Sequence, residues 1–439
     1  MEQEPARVPE AAKQAGEVRA RWRWTEPSVW TERMLTALEQ GVKGGKWYSL
    51  MDKVYALRNL RSAFEQVRAK RGSAGVDQQT IAMFASRLEE NLNGLSESLR
   101  SGSYRPQSIR RAWIPKPGRK EKRSLGIPTV RDRVSQSALR NVLEPIFERD
   151  FAEQSYGFRP GRGCKDALRR VKQLLDAGHT WVVDADLRNY FESIPKERLL
   201  SRVEEKVSDG RILALLKAFL EQRVMDGLKS WTPESGTPQG AVISPLLSNL
   251  YLDPLDQMMA AGGEMVRYAD DFVILCRSEA EATAALSKVE SWTREAGLEL
   301  HPEKTRIVNA NDPGGFDILG YHFERGKHWP SRKSLGKFRD AVRAKTRRAN
   351  GDSLEANIAD LNRTLRGWFE YFKHSSKTTF PTEDGWVRMR LRSILRKRKK
   401  RKGRGRGSDH QRWPNAYFAE RGLFSLTTAH ASVCQSSRR

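Results

Sequence analysis

Asp270 and Asp271 stand side by side in MVRYADDFVILC (residues 265–276), with apolar β-formers on both flanks. A strand interior is a costly place for one carboxylate, and more so for two. Neighbours in a regular strand point to opposite faces. The pair therefore belongs at the tip of a hairpin between EMVRY and FVILC, where both side chains project from one end of a sheet. Upstream, in VVDADLRNYF, Asp184 and Asp186 are two residues apart and share a strand face. If the two segments are adjacent strands, Asp186 comes beside the hairpin tip and three carboxylates crowd one sheet edge. A pair of divalent cations about 3.5–4 Å apart, bridged by carboxylates, offsets that repulsion and is suited to in-line phosphoryl transfer. The plainer alternative is ordinary solvated turn chemistry, since Asp favours turns.

The elements that must hold these acids belong to a chain of 439 residues, long enough for two or three domains, and 38% hydrophobic. Lys and Arg number 79 against 54 Asp and Glu, a surplus of +25 that implies a polyanionic partner, nucleic acid foremost. A membrane surface is disfavoured: the longest apolar runs are strand-length, and MEQEPARVPE offers no secretion signal. Cys164, Cys276 and Cys434 are far apart, which argues against a disulfide scaffold and CxxC zinc sites and for reducing cytosol.

Residues 1–45 read as loosely organised. YALRNLRSAFEQVRAKRG places Leu57, Leu60, Phe64 and Val67 on one helical face. RAWIPKPGRKEKRSLGIPT reads as two extended stretches around a basic Pro-Gly turn. HTWVVDADL is a strand. GTPQGAVISPLLSNLYLDPLDQMM is a loop and a buried helix, and FDILGYHF a further strand. Residues 331–399 read as largely helical, with Leu354, Ile358, Leu361, Leu365 and Phe372 on one stripe. A cationic run, RKRKKRKGRGRG (396–407), follows, and WPNAYFAERGLFSL is expected to dock as a small aromatic cap.

SYGFRPGRG, DLRNYFESI, GTPQGAVISPLLSN, YADD, LELHPEKTRIV and FDILGYHF occur in that order. Together they resemble the blocks of reverse transcriptases encoded by bacterial group II introns, the maturases, from about residue 48 onward. The resemblance implies an α+β right-hand polymerase of fingers, palm and thumb, with an antiparallel palm sheet and an all-helical thumb, or domain X. The expected division is 1–47 a poorly defined extension, 48–110 the helical part of the fingers, 111–325 fingers and palm, 326–399 thumb, and 400–439 a basic DNA-binding tail.

The resemblance also implies roles. Asp186, Asp270 and Asp271 would bind two Mg²⁺ ions, with Mn²⁺ a possible substitute and the Leu187 carbonyl an extra ligand. Lys116 and Arg123, on the arms of the basic hairpin, would clamp the triphosphate of an incoming dNTP. Phe191 would clash with a ribose 2′-hydroxyl, a core Phe being the alternative. Gln239 would pack by the nascent base pair. Arg159 and Arg162 would meet the template backbone, or else form a charged surface loop. Lys304 would lie near the primer. Arg396, Lys397, Arg398, Lys399, Lys400, Arg401 and Lys402 would neutralise phosphates.

The implied partners are group II intron RNA, target DNA, dNTPs and the duplex of RNA template and DNA primer, in the bacterial cytoplasm and at the nucleoid when acting on DNA. The implied function is RNA-directed DNA synthesis with assistance to splicing and retrohoming. Larger relatives end in a Cys- and His-rich endonuclease; with Cys434 alone, the form without that module is expected. Two other readings stay open: an RNA-binding splicing maturase without catalysis, and a host-adopted reverse transcriptase in phage defence or beside a CRISPR array.

Overall fold

The computed structural model describes residues 17–42, 44–115, 122–349, 351–401 and 407–436. Lys116 and Lys402 lie outside them. The chain forms two compact units, Met1–His179 with Val183–Ile307, and Thr180–Val182 with Val308–Arg439. The division between the two units falls at 307–308.

In the first unit, Leu57–Ala69 buries Leu60, Phe64 and Val67 as the periodicity predicts, while Leu57 stays 44% exposed. Residues 17–42 are better organised than their composition suggests. Thr31 caps the helix Glu32–Gln40, and Trp30, fully buried, donates its Nε1–H to the Asn141 carbonyl at 2.9 Å. Asn141 belongs to Val130–Glu148, a helix buried nearly all round. The Asn141 amide is paired there: its Nδ2 donates to Asn59 Oδ1, and Asn59 Nδ2 to the Ala138 carbonyl.

Strands β1 (Ile109–Pro115) and β2 (Lys122–Ile127) are the arms of the basic hairpin. With β4 (Val224–Asp226) and β5 (Lys229–Trp231) they form a sheet in the order β2-β1-β4-β5. The second sheet runs β6 (Glu264–Tyr268), β7 (Asp271–Cys276), β3 (Trp181–Asp186), β8 (Arg306–Asn309). It packs on the largely apolar helix Ser244–Ala260. The burial pattern of β7 has only its first residue half-exposed, so Asp271 sits where the buried strand begins.

The second unit is not wholly helical. FDILGYHF, read above as one strand, is two: β9 (Phe316–Ile318) and β10 (Tyr321–Glu324), paired Ile318 to Tyr321. Leu319 and Gly320, both at positive φ, supply the tight turn. Strand β11 (Lys327–Pro330) completes that antiparallel sheet. Helices Arg332–Lys345, Leu354–Phe372 and Thr379–Arg398 follow. Their core holds Phe338, Ile358, Leu365 and Leu391 together with Trp413, Phe418 and Leu426. Within the expected tail 400–439, three apolar side chains of residues 408–436 thus join this core.

Candidate active site

β6 and β7 pair from Glu264–Leu275 to Tyr268–Asp271, leaving Ala269 and Asp270 as a two-residue turn. Ala269 has φ 60°, a left-handed conformation that disfavours any residue with a Cβ. β3 lies beside β7 and ends at Asp186. The Asp270 carboxyl is pushed above the usual range, first by burial and then by the Asp186 charge. Its own backbone hydrogen bond, Arg123 and Arg267 pull it back. Asp186 and Asp270 thus stand within each other's field, although they come from segments far apart in sequence.

The chain past Asp186 is tied to residues 298–305. Leu187, buried, bridges Leu300; the Arg188 N–H donates to the Glu299 carbonyl at 2.8 Å, and the His301 N–H to the Asp186 carbonyl at 2.7 Å. That stitching delivers the Lys304 ammonium onto the Asp186 carboxylate as an ion pair. Arg306 Nε pairs likewise with Asp184 at 3.3 Å.

Among the described residues, no group of three or more His, Cys, Asp and Glu side chains is spaced to hold a metal ion. Of the three expected carboxylates, Asp186 and Asp270 are brought within each other's field, and Asp271 opens β7 directly after the turn. The chain's own cations act on both: Lys304 pairs with Asp186, and the Arg123 charge reaches Asp270. The donor chemistry of the Asp186–Asp270 pair, hard carboxylate oxygens from two elements, fits a divalent cation.

Arg123 is an exposed residue of β2, opposite Ile114. The Gly126 N–H in the same strand donates to the Gln239 carbonyl at 2.7 Å. Gly240 (φ 111°) makes that approach possible, since a Cβ there would stand 2.4 Å from the Gly126 carbonyl oxygen. Gly236 (φ 89°) plays the same part toward Phe191, whose carbonyl accepts from the Thr237 N–H at 2.7 Å. Phe191 is half-buried beside the buried Tyr190 ring. Glu192 and Gln239 both line a pocket of about 290 Å³ over the β1–β2 sheet.

The two expected template cations are placed differently from each other. Arg159 is 7% exposed and faces inward, held by Glu148 and by the carbonyls of Ala152, Ser155 and Phe151. It shapes the loop and offers nothing to a phosphate, because its donors are already spent. Arg162 remains at the surface, over the Tyr156 ring, and donates to the Glu153 carbonyl.

The basic run divides by what each cation meets. Arg396 pairs with the buried Asp409 at 2.6 Å, and Arg398 donates to the Asp352 carbonyl. Lys399 is exposed. Lys397, Lys400 and Arg401 instead line an open cleft of about 800 Å³ with Arg347, Arg348, Ala349 and Arg390, and among the described residues no carboxylate lines it.

Sequence reading passed over Arg267, which is buried beneath the hairpin with Asp256 as its partner. The signal was present: an Arg inside an otherwise apolar strand, and an Asp inside an otherwise apolar helix, each needing the other.

Residues 114–323 match the family described as reverse transcriptase (RNA-dependent DNA polymerase), and residues 335–413 match the group II intron maturase-specific domain. Protein YkfC of Escherichia coli strain K12 is 32% identical over 348 residues, covering 70% of this chain and 86% of that protein. The chain belongs to the group II intron type of reverse transcriptase. The group II intron-encoded protein LtrA of Lactococcus lactis subsp. cremoris is 35% identical over 199 residues, 45% of this chain and 33% of that protein. This reverse transcriptase thus aligns with a third of LtrA's length. A chain of a partial Cas6-RT-Cas1--Cas2 complex aligns over 56% of it, and 41% of that chain, at 23% identity and a TM-score of 0.37. The family places the reverse transcriptase among RNA-directed DNA polymerases, with divalent-metal dependence in general terms, and its maturase domain with intron RNA. No helix among its described residues is long and apolar enough to cross a membrane.

Proposed function

We propose that the protein extends a primer along an RNA template and also binds its intron RNA, assisting splicing and retrohoming in the bacterial cytoplasm and at the nucleoid. The observation that carries the polymerase reading is the pairing of Asp186 with Asp270 at one end of the β7–β3 sheet, beneath Arg123. Asp186, Asp270 and Asp271, with the Leu187 carbonyl, would hold Mg²⁺, or Mn²⁺ in its place. Bound there, such ions supply activation of the primer hydroxyl and charge neutralisation at the leaving pyrophosphate.

The chain's own residues do the rest. Arg123, with Lys116, grips the triphosphate, the Arg as a planar fork and the Lys as a point charge. Phe191 closes the space a ribose 2′-hydroxyl would need, which selects dNTPs. Gln239, on a loop pinned by two glycines, supports the nascent base pair. Lys304 gives up its hold on Asp186 when other cations arrive. Two observations support the RNA-binding half: the maturase-domain match over 335–413, and the cation-lined cleft of Lys397, Lys400 and Arg401.

Primer extension on an RNA template with Mg²⁺ tests the polymerase half. The wild-type protein is expected to make DNA and Asp270→Ala to make none; synthesis by Asp270→Ala at the wild-type rate overturns it. A splicing assay with the same variant tests the other half, which predicts splicing without catalysis by the aspartates.

A further inference from the structure

Arg267 is 1% exposed, as is its partner Asp256. A guanidinium has five N–H donors, and every one of them is engaged. Nε donates to Asp256 Oδ1 at 2.7 Å, and Nη2 to Asp256 Oδ2. Nη2 also donates to Ser155 Oγ at 2.8 Å, and Nη1 to Asn249 Oδ1 at 3.0 Å. The last bond goes from Nη1 to the Ala269 carbonyl at 2.8 Å. The backbone of residue 267 is clamped as well: its N–H donates to the Gln154 carbonyl at 3.0 Å, and its carbonyl accepts from the Tyr156 N–H at 2.8 Å.

Three elements therefore meet on this one side chain: the loop Gln154–Gly157, the helix Ser244–Ala260 and the catalytic hairpin. Asn249 closes the circuit by donating Nδ2 to the Gly157 carbonyl at 2.7 Å. The hairpin needs such a clamp. Ala269 at φ 60° is in a strained conformation for a residue with a Cβ, which persists only where surrounding structure over-determines it. Asp270, the next residue, is the second residue of that turn, and β3, which ends at Asp186, lies beside β7.

We propose that Arg267, paired with Asp256, is the positioning residue of the catalytic hairpin: its grip on the Ala269 carbonyl fixes the turn that aims Asp270. The claim about rate rests on the polymerase reading; the claim about the turn does not. A buried ion pair is a poor source of stability, since desolvating both charges costs as much as they gain. Its use here is geometric. A lysine at 267 keeps the charge for Asp256 but has no fork to reach Asp256, Asn249, Ser155 and Ala269 together.

The test compares the full-length wild type with Arg267→Lys and with the charge-free double variant Arg267→Met/Asp256→Leu. The second removes the clamp without stranding a buried charge, so it reports if the first does not fold. Hydrogen exchange over the peptide 264–276 reads the turn directly. The variants are expected to exchange about tenfold faster at residues 268–272, with the rest of the chain and RNA binding unchanged. Primer extension is expected to lose on the order of 10²-fold in kcat, with KM for dNTP within about threefold, because misplacement by an ångström acts on the chemical step. Wild-type exchange at the turn overturns the proposal, whether or not the protein makes DNA. Faster exchange with wild-type kcat overturns it as well. A wild type that makes no DNA sinks the polymerase reading instead, and the exchange measurement then decides the clamp alone.

Discussion

The ammonium of Lys304 rests on the carboxylate of Asp186. A cation supplied by the chain thus occupies the field that a divalent ion would use, and the two must compete. Lys304→Ala is expected to lower the Mg²⁺ concentration at which the protein is half-maximally stabilised, by about fivefold, since a competing charge has gone. A thermal-shift titration with MgCl₂ reads this without any enzymatic turnover. An unchanged midpoint means the ion pair does not guard the metal site.

Gly157 and Ala269 meet backbone to backbone. A Cβ on residue 157 would stand 2.3 Å from the Ala269 nitrogen. Gly157→Ala therefore pushes the turn itself, with an expected loss of roughly 2–3 kcal/mol and most of the DNA synthesis. Gly161→Ala is the control: φ is 71° but nothing lies within 4 Å, so only about 1 kcal/mol of backbone strain is expected. Urea unfolding of the two variants separates the cases; equal losses would remove the contact from the account.

Glu144 carries a pH dependence. Burial first, and then the Glu148 charge, lift its carboxyl from 4.5 to about 7, against the pull of Arg140. Folding therefore favours the protonated form. The contribution is full below about pH 4.5, declines as pH rises, and is gone above about 7, a swing of roughly 3 kcal/mol. Glu144→Gln, which keeps the shape and drops the titration, should be more stable than wild type at pH 8 and equal to it near pH 4.5. Parallel stability–pH curves for the two proteins would refute this.

The cations of the basic run are expected to divide by function. Replacing Lys397, Lys400 or Arg401 with Ala should weaken RNA binding and flatten the slope of log K against log salt by about 0.7 per residue on single-stranded RNA. Arg396→Ala should leave that slope alone and lower the melting temperature instead, because it strands the buried Asp409. Identical slopes for all four variants would contradict the division.

Much of this was legible in the sequence, for reasons of periodicity. A hairpin tip at Asp270, a strand ending at Asp186 and a helical face of Leu60, Phe64 and Val67 each follow from side-chain period and burial cost. What escaped was long-range pairing. Nothing local to Arg159 tells that Glu148 and three carbonyls claim its guanidinium, so an inward anchor reads like a surface cation. Arg267 and Asp256 each look like an error until the other is found. The turn within FDILGYHF escaped because its first residue at positive φ, Leu319, is one that local preference would not place there.

Trp413, Phe418 and Leu426 complete the same apolar interior as the helices before residue 399. That decides where the polypeptide tolerates interruption. A premature stop codon or a protease nick between residues 401 and 413 would leave Phe380, Leu391 and Ile394 bordering an open greasy seam, and truncated molecules would clump or be degraded. Reporter proteins inserted within Leu426–Ser436 face the same hazard, because Ala429 and Val433 pack on that interior and His430 stacks on Phe380.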